Sequence, residues 1–101
     1  MTRADFLNKI MNVKVDGFRW SDWNLEHATK HGCAVGEIES VVRREILRAR
    51  KSDGGKWRVE GRGQGDRFIE VIFLFDGDED DTVYVIHAMP LTTRRRRGRR
   101  R

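Results

Sequence analysis

The spacing of apolar residues changes several times along the chain, and each change predicts an element. Phe6, Ile10 and Val13 fall at helical spacing, so a short amphipathic helix is expected within residues 1–16. Gly17-Phe18-Arg19-Trp20 then alternates like a short strand, with Phe18 and Trp20 on one side. Ser21 is a good N-cap, because its hydroxyl can accept from a free amide of the first turn, and Asp22 suits the positive helix end. The helix is predicted through WNLEHATKH to Gly32, a residue fitted to the left-handed position after a helix. Val35, Ile38, Val41 and Val42 form the apolar stripe of a second helix, with Glu37 and Glu39 early and Arg43 and Arg44 late, in accord with its dipole.

Beyond Glu45 the pattern changes to that of strands. Ile46 to Arg50 is expected as an edge strand. Gly- and Asp-rich clusters at 52–55, 61–66 and 76–81 then separate runs of strand composition. Lys56 to Glu60 alternates, with Trp57 and Val59 inward and Lys56, Arg58 and Glu60 outward. Phe68 to Phe75 is apolar except for Glu70 and is predicted as a central strand covered on most of both faces. Thr82 to Met89 is the last strand, ended by Pro90. The fold class is therefore α+β: a short N-terminal strand, two helices, then an antiparallel meander packed beneath them. Residues 17–93 form one domain, with 1–16 an N-terminal extension and 94–101 a tail.

Charge divides the chain. The net charge is +5, but residues 94–101 read RRRRGRRR, and without those seven arginines the remainder carries −2. A block of like charges with no apolar residue cannot bury enough surface to order itself, so disorder is expected there. Arg94, Arg95, Arg96, Arg97, Arg99, Arg100 and Arg101 suit a polyanion such as RNA, DNA or an acidic protein surface. The other reading is a nonspecific solubilising end.

Cys33 stands alone, which excludes an intramolecular disulfide and a cysteine metal cluster. It reads either as a reactive thiol or as a small residue packed after a helix end. No apolar run has the length of a membrane span, and the charged opening MTRADFLNKIMNVKV lacks the apolar core of a secretory signal, so a cytoplasmic location is expected. The acidic run Asp76–Asp81 lacks the closing glutamate of a calcium loop, and the glycines at 61, 63 and 65 precede a strand rather than a helix. Both read as hairpin turns, and neither a metal nor another cofactor is expected.

Several local strings, taken in order, carry a resemblance. Phe18-Arg19-Trp20-Ser21 leads into a helix ending Lys30-His31-Gly32, followed by an acid-starting helix. Gly61-Arg62, Arg67 before an apolar strand, and Val85-Ile86-His87-Ala88 before Pro90 come later. Over roughly residues 17–97 this resembles the BrnT family of toxins from type II toxin–antitoxin systems. The resemblance implies a RelE-like fold, RNA cleavage that arrests translation, a BrnA-like antitoxin as partner, and operator DNA bound through the pair. In one respect the chain departs from that pattern: Met89 stands where the family has an arginine, and His87 stands at the preceding serine position. Methionine can neither clamp a phosphate nor stabilise developing negative charge.

The chemistry can also be read residue by residue. Cleavage of RNA without a metal needs a base near the 2′-hydroxyl, cations for the charge developing on phosphorus, and an acid for the leaving 5′-oxygen. Lys30 and His31 stand at a helix C-terminus, Arg58 on an outward strand face, Arg62 in a glycine-rich turn, Arg67 at the start of the central strand and His87 near the end of its own. Each has an ordinary alternative: His31 as a helix cap, His87 as a packing histidine, Arg58 and Arg67 as ion-pair partners. Trp20, Trp23 and Trp57 could stack bases, but at least two are expected in the core. A non-catalytic binding module acting through the arginine tail is the competing function.

Overall fold

The computed structural model describes residues 17–76 and 79–91, so the expected helix within 1–16 and the arginine tail lie outside the described residues. Strand β1 (Gly17–Phe18) is followed by helices α1 (Asp22–Thr29) and α2 (Val35–Glu45), then β2 (Arg50–Lys51), β3 (Trp57–Arg62), β4 (Phe68–Asp76) and β5 (Glu79–Pro90). The strands form one sheet in the order β1-β5-β4-β3-β2. The meander β2 to β5 is antiparallel as the pattern predicts, but β1 joins β5 in parallel, pairing Gly17 with Thr82 and Phe18 with Val83. The sheet is therefore mixed. The chain leaves one edge at β1, passes through both helices and re-enters at the other edge through β2.

Ser21 caps α1 as its sequence suggests, with Asn24 closing a reciprocal box: the Asn24 amide reaches the Ser21 hydroxyl, and the Ser21 amide donates to Asn24 Oδ1 at 2.6 Å. Gly32 has φ 93°, the left-handed conformation that favours glycine after a helix. Helix α2 buries Ile38, Val41 and Val42 against β3 and β4, while α1 lies along β5. Inward residues of β3, β4 and β5 complete the core: Trp57, Val59, Ile69, Val71, Phe73, Val83, Val85 and Ala88. Each fully buried aliphatic or aromatic side chain contributes about 1.5–3 kcal/mol relative to exposure.

Three expectations are corrected. Residues Ile46–Arg48 form a 3-10 turn rather than an edge strand, and only Arg50–Lys51 pair with β3. Ile46 still packs on the core and Ala49 is wholly buried, so the chain stays folded against α2 until it turns. The second concerns β4, whose helix-covered face carries Ile69, Val71 and Phe73, while Phe68, Ile72 and Leu74 are only partly buried on the other. Both helices lie on one side of the sheet, so among the described residues no helix covers its far face, the open face. The last hairpin is also longer than predicted, with β5 beginning at Glu79 and Asp76 pairing Glu79.

Candidate functional site

The open face of the sheet collects the ionisable residues, and a bulge in β5 decides which. Ile72 of β4 pairs with His87, but the next residue, Phe73, pairs with Val85, so Ile86 is an extra residue in β5. Strict alternation from Val83 and Val85 would send His87 into the core. The bulge shifts the phase by one, so that Ala88 is buried and His87 lies on the open side. There His87 shares a row with Ile72 and Arg58, and Met89 shares the next with Glu70 and Glu60.

Arg58 joins those rows. Its Nη1 donates to Glu60 Oε2 at 3.1 Å and to Glu70 Oε2 at 3.2 Å. Both carboxylates are nearly covered, with side-chain exposures of 7% and 8%. The other oxygen of Glu70 stands 3.9 Å from His87 Nε2. His31, just past α1, brings its ring to 5.6 Å from that of His87, at 66°. Burial pushes the His87 imidazole below the ordinary histidine value; the Glu70 charge opposes this, and the His31 and Lys30 charges reinforce it. His87 is thus a neutral base near pH 7, with a second imidazole, a carboxylate and cations beside it. Arg50, opposite Arg58 on β2, adds an exposed cation to the row.

The structure brings Lys30, His31, Arg58 and His87 together. Arg62 and Arg67 are engaged in other contacts. Arg67 is bound to the Glu37 carboxylate through Nη2 (3.0 Å) and Nε (3.3 Å), and Nη2 also reaches the Gly32 carbonyl at 2.9 Å. Glu37 further accepts from the Gln64 amide at 2.6 Å and the Ala34 amide at 3.2 Å. Desolvation raises the Glu37 carboxyl, but the bonds from Arg67, Gln64 and Ala34 together with the Arg67 charge outweigh it, so its pKa lies below the ordinary value. This latch ties the β3–β4 connection to the start of α2 and to the end of α1. Gly63 is required beside it, because a Cβ there would stand 2.9 Å from the Glu37 carboxyl carbon. Arg62 pairs with Asp66 in the same connection and lies over the Phe68 ring at 5.7 Å.

A groove of about 260 Å³ runs between α2 and this connection, lined by Gly36, Ser40, Arg44, Arg62 and Gln64 beside Glu37. It carries no histidine, and its carboxylate is committed to Arg67, so the open sheet face is the better candidate for chemistry. Cys33 is buried, and its thiol is pushed up by burial and by the Glu37 charge against the pull of Arg67, as befits a packed rather than a reactive cysteine. Trp57 is in the core, Trp20 is partly buried with Nε1 donating to Glu39 at 2.8 Å, and Trp23 is 51% exposed. Among the described residues no group of three histidine, cysteine or acidic side chains is arranged to hold a metal. No helix among them is long and apolar enough to cross a membrane.

Sequence reasoning missed the acidic partners. Glu60 and Glu70 occupy outward strand positions, and only the β3–β4 register shows that they stand side by side. Asn24 was likewise hidden: it is fully buried, and its Nδ2 donates to the Arg19 carbonyl (3.1 Å) and to the Val85 carbonyl on β5 (2.9 Å). Comparison with protein-family models, with curated proteins and with solved structures finds no match.

Proposed function

We propose that this chain is a metal-independent endoribonuclease, the toxin of a BrnT-type toxin–antitoxin pair with a RelE-like fold, acting on RNA in the cytoplasm. The observation that carries this reading is the His31–His87 pair, 5.6 Å apart on the open sheet face with Glu70 and Arg58 alongside. His87, held neutral by burial, takes the proton of a ribose 2′-hydroxyl. The 2′-oxygen then attacks phosphorus in line, the bond from phosphorus to the 5′-oxygen breaks, and His31 delivers a proton to that oxygen. The products are a 2′,3′-cyclic phosphate and a free 5′-hydroxyl. Lys30 and Arg58 supply positive charge for the phosphorane, and the Glu70 carboxylate stabilises the imidazolium that forms on His87. The arginines from Arg94 to Arg101 concentrate the protein on RNA, a BrnA-like antitoxin neutralises it, and the pair binds operator DNA.

Incubating the purified chain with single-stranded RNA in excess chelator tests the chemistry. Cyclic-phosphate termini that vanish with His87→Ala are the expected result, and intact RNA rejects it. Two observations favour a second reading, a binding module without catalysis. Met89 occupies the family's arginine position beside Glu70, and Arg67 is committed to Glu37. RNA retained by the chain but never cut would select that reading.

A further inference from the structure

Helix α1 is short, and its buried positions, Asn24 and Ala28, face β5. The adjoining flank carries Trp23 and His27, and the same spacing of four leads on to His31. The Trp23 and His27 rings are stacked, with centroids 3.9 Å apart and planes inclined by 18°. His27 Nδ1 donates to the Trp23 carbonyl at 2.7 Å, which fixes the imidazole against the indole. With one indole face stacked on His27, Trp23 is still 51% exposed.

We propose that this Trp23–His27 stack is a subsite for one unpaired base of single-stranded RNA, continuing the strand whose phosphate is cut at His31 and His87. The proposal rests on the RNA-cleaving reading for its strand but on its own geometry for the base. A nucleobase needs a single flat aromatic face, and stacking on one is tolerant of base identity. A protein partner needs a wide patch with several anchors. The other exposed large apolar residues among those described, Leu25 and Leu47, do not extend this one: Leu25 is two positions from Trp23 and so points to the far side of α1, and Leu47 lies beyond α2. Among the described residues Trp23 thus stands apart from the other exposed large apolar side chains, which suits a base. The pre-stacked His27 also means that little side-chain freedom is lost on binding.

The distance is suitable. From Trp23 to His31 the chain advances about 12 Å along the helix direction, which spans roughly three to four stacked nucleotides at about 3.4 Å each. A base on Trp23 therefore belongs to the strand just outside the cleaved linkage. The subsite gives the enzyme a requirement for unpaired substrate, because a base held in a duplex cannot reach the indole.

The test uses the full chain and a single-stranded RNA of ten nucleotides with every 2′-hydroxyl methylated, so that cleavage is blocked and binding alone is read. Raised salt screens the attraction between arginine tail and phosphate. Trp23→Ala is expected to weaken binding about tenfold to a hundredfold, the effect of losing one base–aromatic stack. Trp23→Phe keeps most of the affinity, and wild-type indole emission is quenched on binding in a way that Trp23→Phe abolishes. A scan with single abasic sites locates the base: at one position, wild type and Trp23→Ala become equal. Equal affinities of wild type and Trp23→Ala for the intact strand overturn the proposal, as does a Trp23→Ala loss unchanged by every abasic site. Loss of antitoxin neutralisation in Trp23→Ala with unchanged RNA affinity overturns it in favour of a protein partner. Quenching and the abasic effect without any cleavage of unmodified RNA leave the subsite standing and remove the nuclease reading instead.

Discussion

His31 and His87 meet edge to face, 5.6 Å between ring centroids, although one follows the first helix and the other lies on the last strand. Neither element makes the encounter alone. Helix α1 is held on β5 by buried Asn24, whose amide reaches the Val85 carbonyl, and the bulge at Ile86 turns His87 to the open side, where the ring of His31, beyond the end of that helix, meets it. Asn24→Ala would leave that carbonyl without its partner and loosen the helix that positions His31. A loss of about 1–3 kcal/mol in denaturant unfolding is expected, together with a fall in RNA cleavage larger than the stability loss explains.

The role of His87 should be legible in the pH dependence of cleavage. If neutral His87 is the base, cleavage falls as pH drops through its lowered pKa, so the acid limb lies below the ordinary histidine value of about 6.5. Glu70 holds that value up; Glu70→Gln therefore shifts the acid limb to still lower pH. His87→Ala should cost about a hundredfold to ten-thousandfold in rate and abolish the limb. Stability has the same sign. A histidine whose folded pKa is depressed binds fewer protons when native, so stability declines as pH falls below about 6.5, and His87→Ala flattens that slope.

Arg67 should behave as a structural residue. Arg67→Ala leaves buried Glu37 without its ion pair and lowers the melting temperature, and Gly63→Ala does the same by crowding that carboxylate. The Glu37 pKa is depressed on folding, so this contribution is present above its unfolded value of about 4.3 and is lost as pH falls through the folded one. Acid melts of wild type and Arg67→Ala should therefore converge at low pH. Well below both melting temperatures, near neutral pH, Arg67→Ala should still cut RNA.

Met89→Arg tests the departure from the family pattern. Met89 pairs with Glu70, so an arginine there meets the Glu60–Glu70 carboxylates already served by Arg58. Competition for Glu70 withdraws negative charge from His87 and lowers its pKa further, while the new cation adds to the phosphate field. The expected outcome is faster cleavage with an acid limb moved down; a slower enzyme with an unmoved limb would show that Met89 lies outside the site.

The faces of β4 can be distinguished by charge. Val71→Asp places a carboxylate in the wholly buried layer under the helices and should unfold the protein. Ile72→Asp, on the open face opposite Arg58, should fold and melt cooperatively, and a circular-dichroism melt of each variant decides the matter.

Much of the fold was legible because the patterns were local. The Ser21 cap, the Ile38-Val41-Val42 stripe and the alternation around Trp57 and Val59 each report their surroundings within a few residues. The parallel pairing of β1 was not legible, because it depends on where the chain returns after two helices. Nor was the one-sided covering of β4, since an apolar run gives the same signal whether the far face meets a helix or its own neighbours. The site was half visible: Lys30, His31, Arg58 and His87 stand out by residue type, whereas Glu60 and Glu70 gain meaning only from cross-strand register. Arg67 is conspicuous in the sequence, and its commitment to Glu37 is a contact that no local pattern announces.

The extra residue at Ile86 gives β5 a change of parity along its length. Before it, odd-numbered positions Val83 and Val85 are interior; after it, the even-numbered Ala88 is. Pairing the same residues without the bulge would restore uniform alternation, turning the imidazole inward and the alanine outward. No residue would change, yet a basic side chain would enter the core and the open face would lose its proton carrier. Deleting Ile86 would instead leave His87 directly after Val85, still opposite Ile72 and outside, with Ala88 still inside. The assignment of the last strand to scaffold or to chemistry is thus decided by register rather than by composition.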